Sequence, residues 1–249
     1  MRRREFLLGV GATLLLPALL PAEALALGDV STVDVVEIQL PKGSISRPNA
    51  WRTMLYEVAR TTSVETDPDG VVQLPPDDLA LFEHPFAVLV GDGAFGPLSA
   101  EHLEQLKRYL TYGGFLYIDD TSGVPDSPFS LSVRRLLQRM FPTRPLQRLE
   151  RNHSLYRAFF LIERPIGRVQ GPGYLEGIKL GSIYPIIFGQ IDLSGALERS
   201  ESGRSLRPIS ERQRREATKL AVNLVLYALT SNYKQDQAHV KALLEEGRL

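Results

Sequence analysis

The side chains best suited to chemistry are carboxylates that follow apolar runs of the chain. Asp92 follows one such run and Asp192 follows another, while Asp119 and Asp120 together follow a third. Thr121 adds a hydroxyl next to this last pair. If the runs are neighbouring parallel strands, their carboxyl ends meet at one edge of the sheet, where ligands usually bind. These five residues therefore form the predicted ligand-binding site.

Two roles are open for these aspartates. Carboxylates that share one crevice repel each other, so at least one should have a raised pKa unless a cation or an arginine compensates. Asp119, Asp120 and Asp192 are the predicted metal ligands, and an all-oxygen set favours Mg²⁺ or Ca²⁺ over zinc. Alternatively, Asp119 and Asp120 merely accept backbone N–H bonds in the next turn. Apart from these ions, no cofactor is predicted.

A strand, a helix and a second strand are predicted to position the central pair. Phe86–Val90 is a short apolar run typical of a strand that is buried on both faces. Ser99 is a suitable helix cap, and Gly113 and Gly114 favour the end of that helix. Phe115–Ile118 is the next predicted strand and leads directly into Asp119. This order predicts a βαβ unit with parallel strands.

The remaining chain extends the α/β pattern. Patterning predicts a first strand at residues 33–40, a helix capped by Ser46, and a short second strand at residues 62–65. Residues 66–79 are predicted to be mostly loop, with a helical turn capped by Asp77 or Asp78. Further elements are expected as a helix at 130–140, a strand at 184–189 and a helix at 209–233, with a turn-rich insertion around 171–177.

Gly91, Gly93 and Gly96 match the dinucleotide-binding pattern GxGxxG as a string. Two features oppose that interpretation. Pro97 removes an N–H where the pyrophosphate needs donors, and Ser99 places the helix cap beyond the glycines. A tight strand-to-helix turn is therefore the preferred interpretation of this segment.

Composition excludes several function classes. The chain has no cysteine, so a thiol nucleophile and a cysteine-ligated metal are excluded. Its four histidines show no HExxH spacing, and its formal net charge is zero, which is not typical of a nucleic-acid binder. His153 and Ser154 are neighbours in a segment predicted to be extended, so they do not form a catalytic pair. A turn or surface role is expected for His153.

Residues 1–26 have the pattern of an export signal. A basic start, an apolar stretch and a small-x-small cleavage site ending at Ala26 follow in order. Arg3 and Arg4, followed by Phe6 and Leu7, resemble the twin-arginine motif, with an ordinary secretory signal as the alternative. We therefore expect a periplasmic or otherwise extracytoplasmic protein whose mature chain has no transmembrane span.

The mature chain is divided into an α/β domain at residues 27–233 and a polar helical tail at residues 234–249. The tail is too polar for a core, so Tyr233, Lys234, Asp236 and His239 are predicted to dock a protein partner. Asn223 lies among the apolar residues of the preceding helix and should hydrogen-bond inside the protein. A basic cluster at residues 204–215 is expected to be a solvated surface, with an anionic lipid or a partner as the alternative.

The mature chain resembles the bacterial family called domain of unknown function 4159. The resemblance rests on stretches spread over nearly the whole mature chain, namely residues 51–65, 113–120, 152–160, 187–192 and 223–239. It implies a flavodoxin-like fold similar to class I glutamine amidotransferases, with a mostly parallel sheet flanked by helices. It also implies export or membrane attachment, and association with von Willebrand factor A-type proteins and MoxR-type ATPases. No reaction is established for the family.

Comparison with the amidotransferases indicates a retired active site. Asp119 stands where the nucleophilic cysteine of such an enzyme would fall, and a carboxylate does not perform thioester chemistry. The leading hypothesis is an exported, non-catalytic module that binds a partner or ligand in an envelope-associated assembly. The alternative hypothesis is a metal-assisted hydrolase that uses Asp119, Asp120 and Asp192.

Overall fold

A computed structural model describes the backbone of residues 32–245 and the side chains of residues 32–231. The strands are β1 (Val33–Ile38), β2 (Thr66–Leu74), β3 (Phe86–Gly91), β4 (Phe115–Asp120), β5 (Gln147–Arg148), β6 (Glu176–Leu180) and β7 (Ile183–Gly189). The helices are α1 (Pro48–Thr61), α2 (Ala100–Thr111), α3 (Pro128–Met140), α4 (Leu193–Leu197) and α5 (Glu211–Glu245). Two short 3₁₀ helices cover Leu79–Glu83 and Ser154–Arg157.

The strands form one seven-stranded sheet in the order β2-β1-β3-β4-β7-β6-β5. Strands β2, β1, β3, β4 and β7 are parallel, whereas β6 and β5 pair antiparallel at one end. The parallel part follows the 2-1-3-4-5 order of flavodoxin-like sheets when β7 is counted as the fifth parallel strand. The predicted α/β class with a mostly parallel sheet is confirmed.

The predicted central βαβ unit is confirmed. Strands β3 and β4 pair in parallel along their whole length, from Phe86 opposite Phe115 to Gly91 opposite Asp120. Ser99 caps α2 by accepting a hydrogen bond from the N–H of His102 at 3.1 Å. Gly113 follows this helix with φ of 111°, a backbone conformation that glycine adopts without a Cβ clash.

The sheet separates two apolar cores. One core packs against α1, α4 and α5, and the other packs against α2 and α3. Side chains along β4 alternate between them, since Phe115 and Tyr117 belong to the first core and Leu116 and Ile118 belong to the second. This alternation follows from the two-residue repeat of a strand. It sends the side chain of each residue at the end of β4 to the opposite face from its neighbour.

Two strand predictions were wrong. The second strand is Thr66–Leu74 rather than residues 62–65, and its Asp-Pro-Asp-Gly segment had indicated a loop. Strand β2 lies at the edge of the sheet, where a proline costs no ladder hydrogen bond, and its pairing with β1 is irregular between Val33 and Val35. Strand β6 begins at the end of the predicted turn-rich insertion, where no strand was predicted, and antiparallel pairing with β7 provides its ladder.

Two helix predictions also differ from the structure. The Ser46 hydroxyl does not cap α1 and instead donates to the Glu37 carboxylate at 2.6 Å. The last helix continues as a single helix to Glu245, whereas the sequence suggested that the tail would form a second one. None of the helices within residues 32–245 combines the length and the apolar character that crossing a bilayer requires.

Asn223 joins α5 to the segment around the second 3₁₀ helix. Its Oδ1 accepts hydrogen bonds from the N–H groups of Phe159 and Phe160, and its Nδ2 donates to the carbonyl oxygens of Leu155 and Phe160. The side chain is fully buried. The predicted internal role of this amide is therefore confirmed, and it fixes the path of residues 155–160 across the helix.

The Asn223→Ala variant should lose about 2–4 kcal/mol of unfolding free energy, because partly buried backbone groups are left without partners. Urea denaturation of the variant and the wild type measures this loss. Asn49→Ala on α1 is the matched control, since Asn49 makes one exposed contact with Arg52, and we expect a change within about 0.5 kcal/mol. Equal losses in the two variants would contradict the assigned role of Asn223.

Candidate functional site

The structure brings together only part of the predicted site. Asp119 and Asp192 are fully buried and lie near each other at the carboxyl edge of the sheet. Asp120 is also buried, but it points to the opposite face of β4. Asp92 is exposed, and Thr121 is buried and donates its N–H to the Gly91 carbonyl at 3.0 Å. A shared crevice of all five residues is not formed.

Asp119 binds the first two N–H groups of the short helix α4, whose N-cap residue is Asp192. Its two carboxylate oxygens accept hydrogen bonds from the backbone N–H groups of Leu193 at 3.0 Å and Ser194 at 2.8 Å. The Tyr117 hydroxyl donates to the same carboxylate at 3.4 Å. Burial, and then the nearby charge of Asp192, raise the pKa of Asp119 to about 6. Asp119 thus combines a structural role with an unusually basic carboxylate.

Asp192 is held by two arginines. Its backbone has φ of 51° and ψ of 57°, a left-handed conformation that aspartate tolerates better than most residues. One carboxylate oxygen accepts from Arg47 Nη1 at 2.8 Å and from the Gly195 N–H at 3.0 Å, and the other accepts from Arg168 Nε. These guanidinium groups are the compensating cations that buried neighbouring carboxylates require.

Asp120 organises the start of α3. Its carboxylate accepts hydrogen bonds from the Ser122 N–H at 2.9 Å and from the Ser127 hydroxyl. The Ser127 oxygen in turn accepts from the Ser130 N–H and caps α3. This arrangement is the turn-forming role that the sequence left open for Asp120.

Two buried residues at the same edge escaped the sequence analysis. Glu37, near the end of β1, accepts hydrogen bonds from the Arg47 N–H at 2.7 Å and from Trp51 Nε1 at 2.8 Å. Its other oxygen accepts from the Ser46 hydroxyl and from Gln73 Nε2. Glu37 is a charged residue inside an apolar strand, and this position in the sequence was the signal that could have identified it. Arg47 lies 145 positions from Asp192, and no local pattern reveals that pair.

Arg168 reaches Asp192 from a loop that lies flat on the chain after β7. A Cβ atom at Gly167 would be 2.1 Å from the Ile191 carbonyl oxygen, and one at Gly171 would be 2.1 Å from the Gln190 carbonyl oxygen. The Arg168 N–H donates to the Asp192 carbonyl oxygen. The loop therefore covers the carboxyl end of β7 and lies over the ion pairs that Asp192 forms with Arg47 and Arg168.

The contacts of Asp119, Asp120 and Asp192 bear on the hypothesis that these residues bind a metal ion. Among residues 32–231, no group of three or more histidine, aspartate or glutamate side chains is placed to hold a metal ion. Asp119 and Asp120 face opposite sides of β4, and the oxygens of Asp119 and Asp192 already accept internal hydrogen bonds. The donor set favours structural roles for these aspartates, and metal-assisted hydrolysis stays a prediction that a direct titration can decide.

The glycines of the GxGxxG string adopt a packed turn. Gly91 pairs with Ser44, and the Ile45 N–H donates to the Val90 carbonyl at 2.9 Å, so residues 43–45 lie against the end of β3. Helix α2 begins at Ala100, four positions beyond Gly96. This geometry agrees with the strand-to-helix turn that the sequence favoured.

His153 has the turn role that was expected. Its ring nitrogen Nδ1 accepts a hydrogen bond from the Leu155 N–H at 3.2 Å and so caps the second 3₁₀ helix. The ring packs against Tyr184 with centroids 4.8 Å apart and also contacts Tyr227. Burial lowers the pKa of His153 to about 4, so the ring is neutral near neutral pH.

Two groups of predicted residues fall outside the described side chains. The export motif residues Arg3, Arg4, Phe6 and Leu7 precede residue 32, where the described chain begins. Tyr233, Lys234, Asp236 and His239 lie on the helical backbone of α5, but their side chains are beyond residue 231.

The shifted pKa of Asp119 predicts a pH dependence of stability. A folded-state pKa near 6, above an ordinary value near 3.8, means that the folded protein binds this proton more tightly than the unfolded chain. Between pH 7 and 4.5, this residue therefore adds stability as the pH falls. Relative to Asp119→Asn, the wild type should gain about 1–3 kcal/mol over that range, because one pKa unit corresponds to about 1.4 kcal/mol.

Urea unfolding of both proteins at pH 7, 5.5 and 4.5 measures this difference. His153 contributes with the opposite sign, since its lowered pKa makes the unfolded chain the better proton binder as the pH falls. That contribution is present in both proteins and cancels in the comparison. A difference between wild type and variant that stays constant with pH would contradict the assignment.

The fold and the site together define a doubly wound, mostly parallel α/β protein whose carboxyl edge is closed by buried, paired charges. The family model described as domain of unknown function (DUF4159) matches residues 34–229, so the chain belongs to this family. A search of curated proteins finds no match.

Proposed function

We propose that this chain is an exported, non-catalytic α/β module that binds a protein partner in an envelope-associated assembly. One observation carries the proposal. Asp119 and Asp192, at the edge where such sheets usually bind ligands, are fully buried and use both carboxylate oxygens for internal hydrogen bonds. A group in that state is not available to a substrate, so we place the function on the outer surface.

A broad surface groove supports a binding role. It has a volume of about 860 Å³ and lies between the loop of residues 161–173 and the first turns of α5. Glu163, Arg164 and Arg212 give it charges of both signs, and Leu161 contributes an exposed apolar side chain. Such a mixed polar and apolar surface suits a transient protein–protein contact, since transient interfaces are more polar than obligate ones.

The second proposed contact is the C-terminal part of α5. Its backbone continues as a helix well past the last core residue, Ala228. Tyr233, Lys234, Asp236 and His239 occupy this extension and provide polar groups for docking. Proteins of the von Willebrand factor A type and MoxR-type ATPases are the proposed partner classes, on the family resemblance.

Export is proposed from the arginine pair in the first 26 residues, Arg3 and Arg4, followed by Phe6 and Leu7. A twin-arginine route would deliver the domain already folded, so the buried charge network would form before translocation. The mature chain would then act on the extracytoplasmic side of the membrane.

The binding role is tested by affinity capture from the native cell envelope. The bait is the chain expressed with its own first 26 residues, compared with a version that ends at Tyr233. We expect a recurring partner with the complete chain, its loss with the shortened chain, and nearly equal melting temperatures for the two. Asp119→Asn is the control, and it should retain the partner. Loss of the partner with this control alone would contradict the proposal.

A further inference from the structure

A second, smaller pocket lies beside the groove and is markedly basic. It has a volume of about 350 Å³ and is formed by the end of α1, the turn after α4 and the first turns of α5. Its cationic lining side chains are Arg60, Arg199, Arg214, Arg215 and Lys219. Its acidic lining side chains are Glu57 and Glu211. Five positive charges therefore face two negative ones.

The acidic side chains of the pocket are already paired. Glu57 accepts from Arg60 Nη2 at 2.6 Å, and Arg199 Nη2 lies 3.8 Å from its other oxygen. Glu211 is paired with Arg214. Lys219 pairs at 2.8 Å with Glu216, which does not line this pocket. The two carboxylates therefore cannot satisfy all of the surrounding cations.

Two arginines have unused binding capacity. Arg215 is exposed and forms no ion pair with any residue in the described part of the chain. Within residues 32–231, Arg199 has only the long contact with Glu57, and its Nε, although buried, has no hydrogen-bond acceptor. A guanidinium held this loosely can turn toward an incoming anion at little cost. Unused donors from two different elements thus converge on one pocket.

We propose that this pocket binds a phosphate-bearing ligand. Arginine forks match the oxygens of a phosphate group in pairs, and cations from three elements suit a tetrahedral, multiply charged anion. The volume falls within the usual range for small-ligand pockets. This inference does not rest on the proposed protein-binding function.

In the sequence, the arginines between residues 204 and 215 form one basic cluster, and a single role was predicted for all of them. The structure separates its members. Arg214 and Arg215 line the basic pocket, Arg212 lines the larger groove, and Arg207 pairs with Glu198 at 2.8 Å. Arg204 is exposed and lines neither pocket, so it provides a matched control for the loss of one positive charge.

The test uses the complete mature chain and inorganic pyrophosphate, measured by titration calorimetry at constant ionic strength. We expect binding in the micromolar range, at least about tenfold weaker in Arg215→Gln and unchanged in Arg204→Gln. Equal weakening in both variants would indicate general charge attraction and overturn the proposal. Circular dichroism and melting temperature establish that both variants fold like the wild type.

A second arm identifies the source of the phosphate. Vesicles of phosphatidylglycerol are compared with vesicles of phosphatidylcholine by co-sedimentation, with the same two variants. Binding to the anionic vesicles that Arg215→Gln loses and Arg204→Gln keeps would support a lipid headgroup as the ligand, even if pyrophosphate binds weakly. Binding of pyrophosphate alone would support a soluble phosphate compound. No Arg215-dependent binding in either arm would overturn the proposal.

Discussion

Replacing Arg47 by methionine should lower the free energy of unfolding by about 3–5 kcal/mol, the usual cost of removing one partner of a buried ion pair. Arg47 is only 5% exposed, and it donates to the fully buried Asp192 at 2.8 Å. Methionine fills a similar volume but brings no charge. Among the described side chains, Asp192 would then keep a single cationic partner, Arg168, which lies nearer the surface.

Urea denaturation at pH 7 measures the loss, and the double variant Arg47→Met, Asp192→Asn provides the control. Once the carboxylate is also removed, no buried negative charge lacks its partner at this position and only the partly exposed Arg168 is left unpaired, so the double variant should lose less than the two single variants combined. A loss below about 1 kcal/mol for Arg47→Met would show that the pair contributes little to the fold.

The Gly91→Ala variant should lose about 3 kcal/mol or more, or fail to fold. A Cβ atom at this position would be 2.1 Å from Cε2 of Phe129 and 2.3 Å from the carbonyl oxygen of Gly43. Phe129 is fully buried in the core, and the other contact is backbone, so neither can move aside cheaply. The glycine is required by close packing of the chain after β1 and of α3 against the end of β3.

Gly96→Ala is the matched control from the same glycine string. A Cβ atom there meets no described residue within 4 Å, so the unfolding free energy should change by no more than about 0.5 kcal/mol. Thermal and urea unfolding of both variants measure the contrast. A dinucleotide site predicts another pattern, in which Gly91→Ala folds normally and loses NAD or ATP binding. That pattern would overturn the packing explanation.

The sequence predicted the centre of the fold well because the relevant signals are local. The apolar run before Gly91, the cap at Ser99 and the glycines after α2 each specify structure within a few residues. The edge strand β2 was missed because its Asp-Pro-Asp-Gly segment has the composition of a loop. Only its position beside β1 shows why the sheet tolerates it.

The candidate site was only partly predictable. Strand β4 extends through Asp119 and Asp120, and side-chain alternation then places the two aspartates on opposite sides of the sheet. The apolar run had predicted a strand that ends at Ile118, so this alternation was not applied to the pair. The partners of Asp192, in contrast, could not be predicted from any local pattern. Arg47 and Arg168 come from distant segments, so their pairing depends on the complete fold rather than on any motif.

The pKa of the Asp119 carboxyl, measured by NMR with and without divalent ions, tests the structural account of the carboxyl edge most directly. The ¹³C resonance of this group is assigned by its absence in Asp119→Asn. We predict one titration step near pH 6 that millimolar Mg²⁺ or Ca²⁺ leaves in place, because Leu193, Ser194 and burial define its surroundings. A bound metal would hold the carboxylate ionised. A midpoint that falls by about one unit or more with either ion would contradict the account and favour the metal-assisted hydrolase.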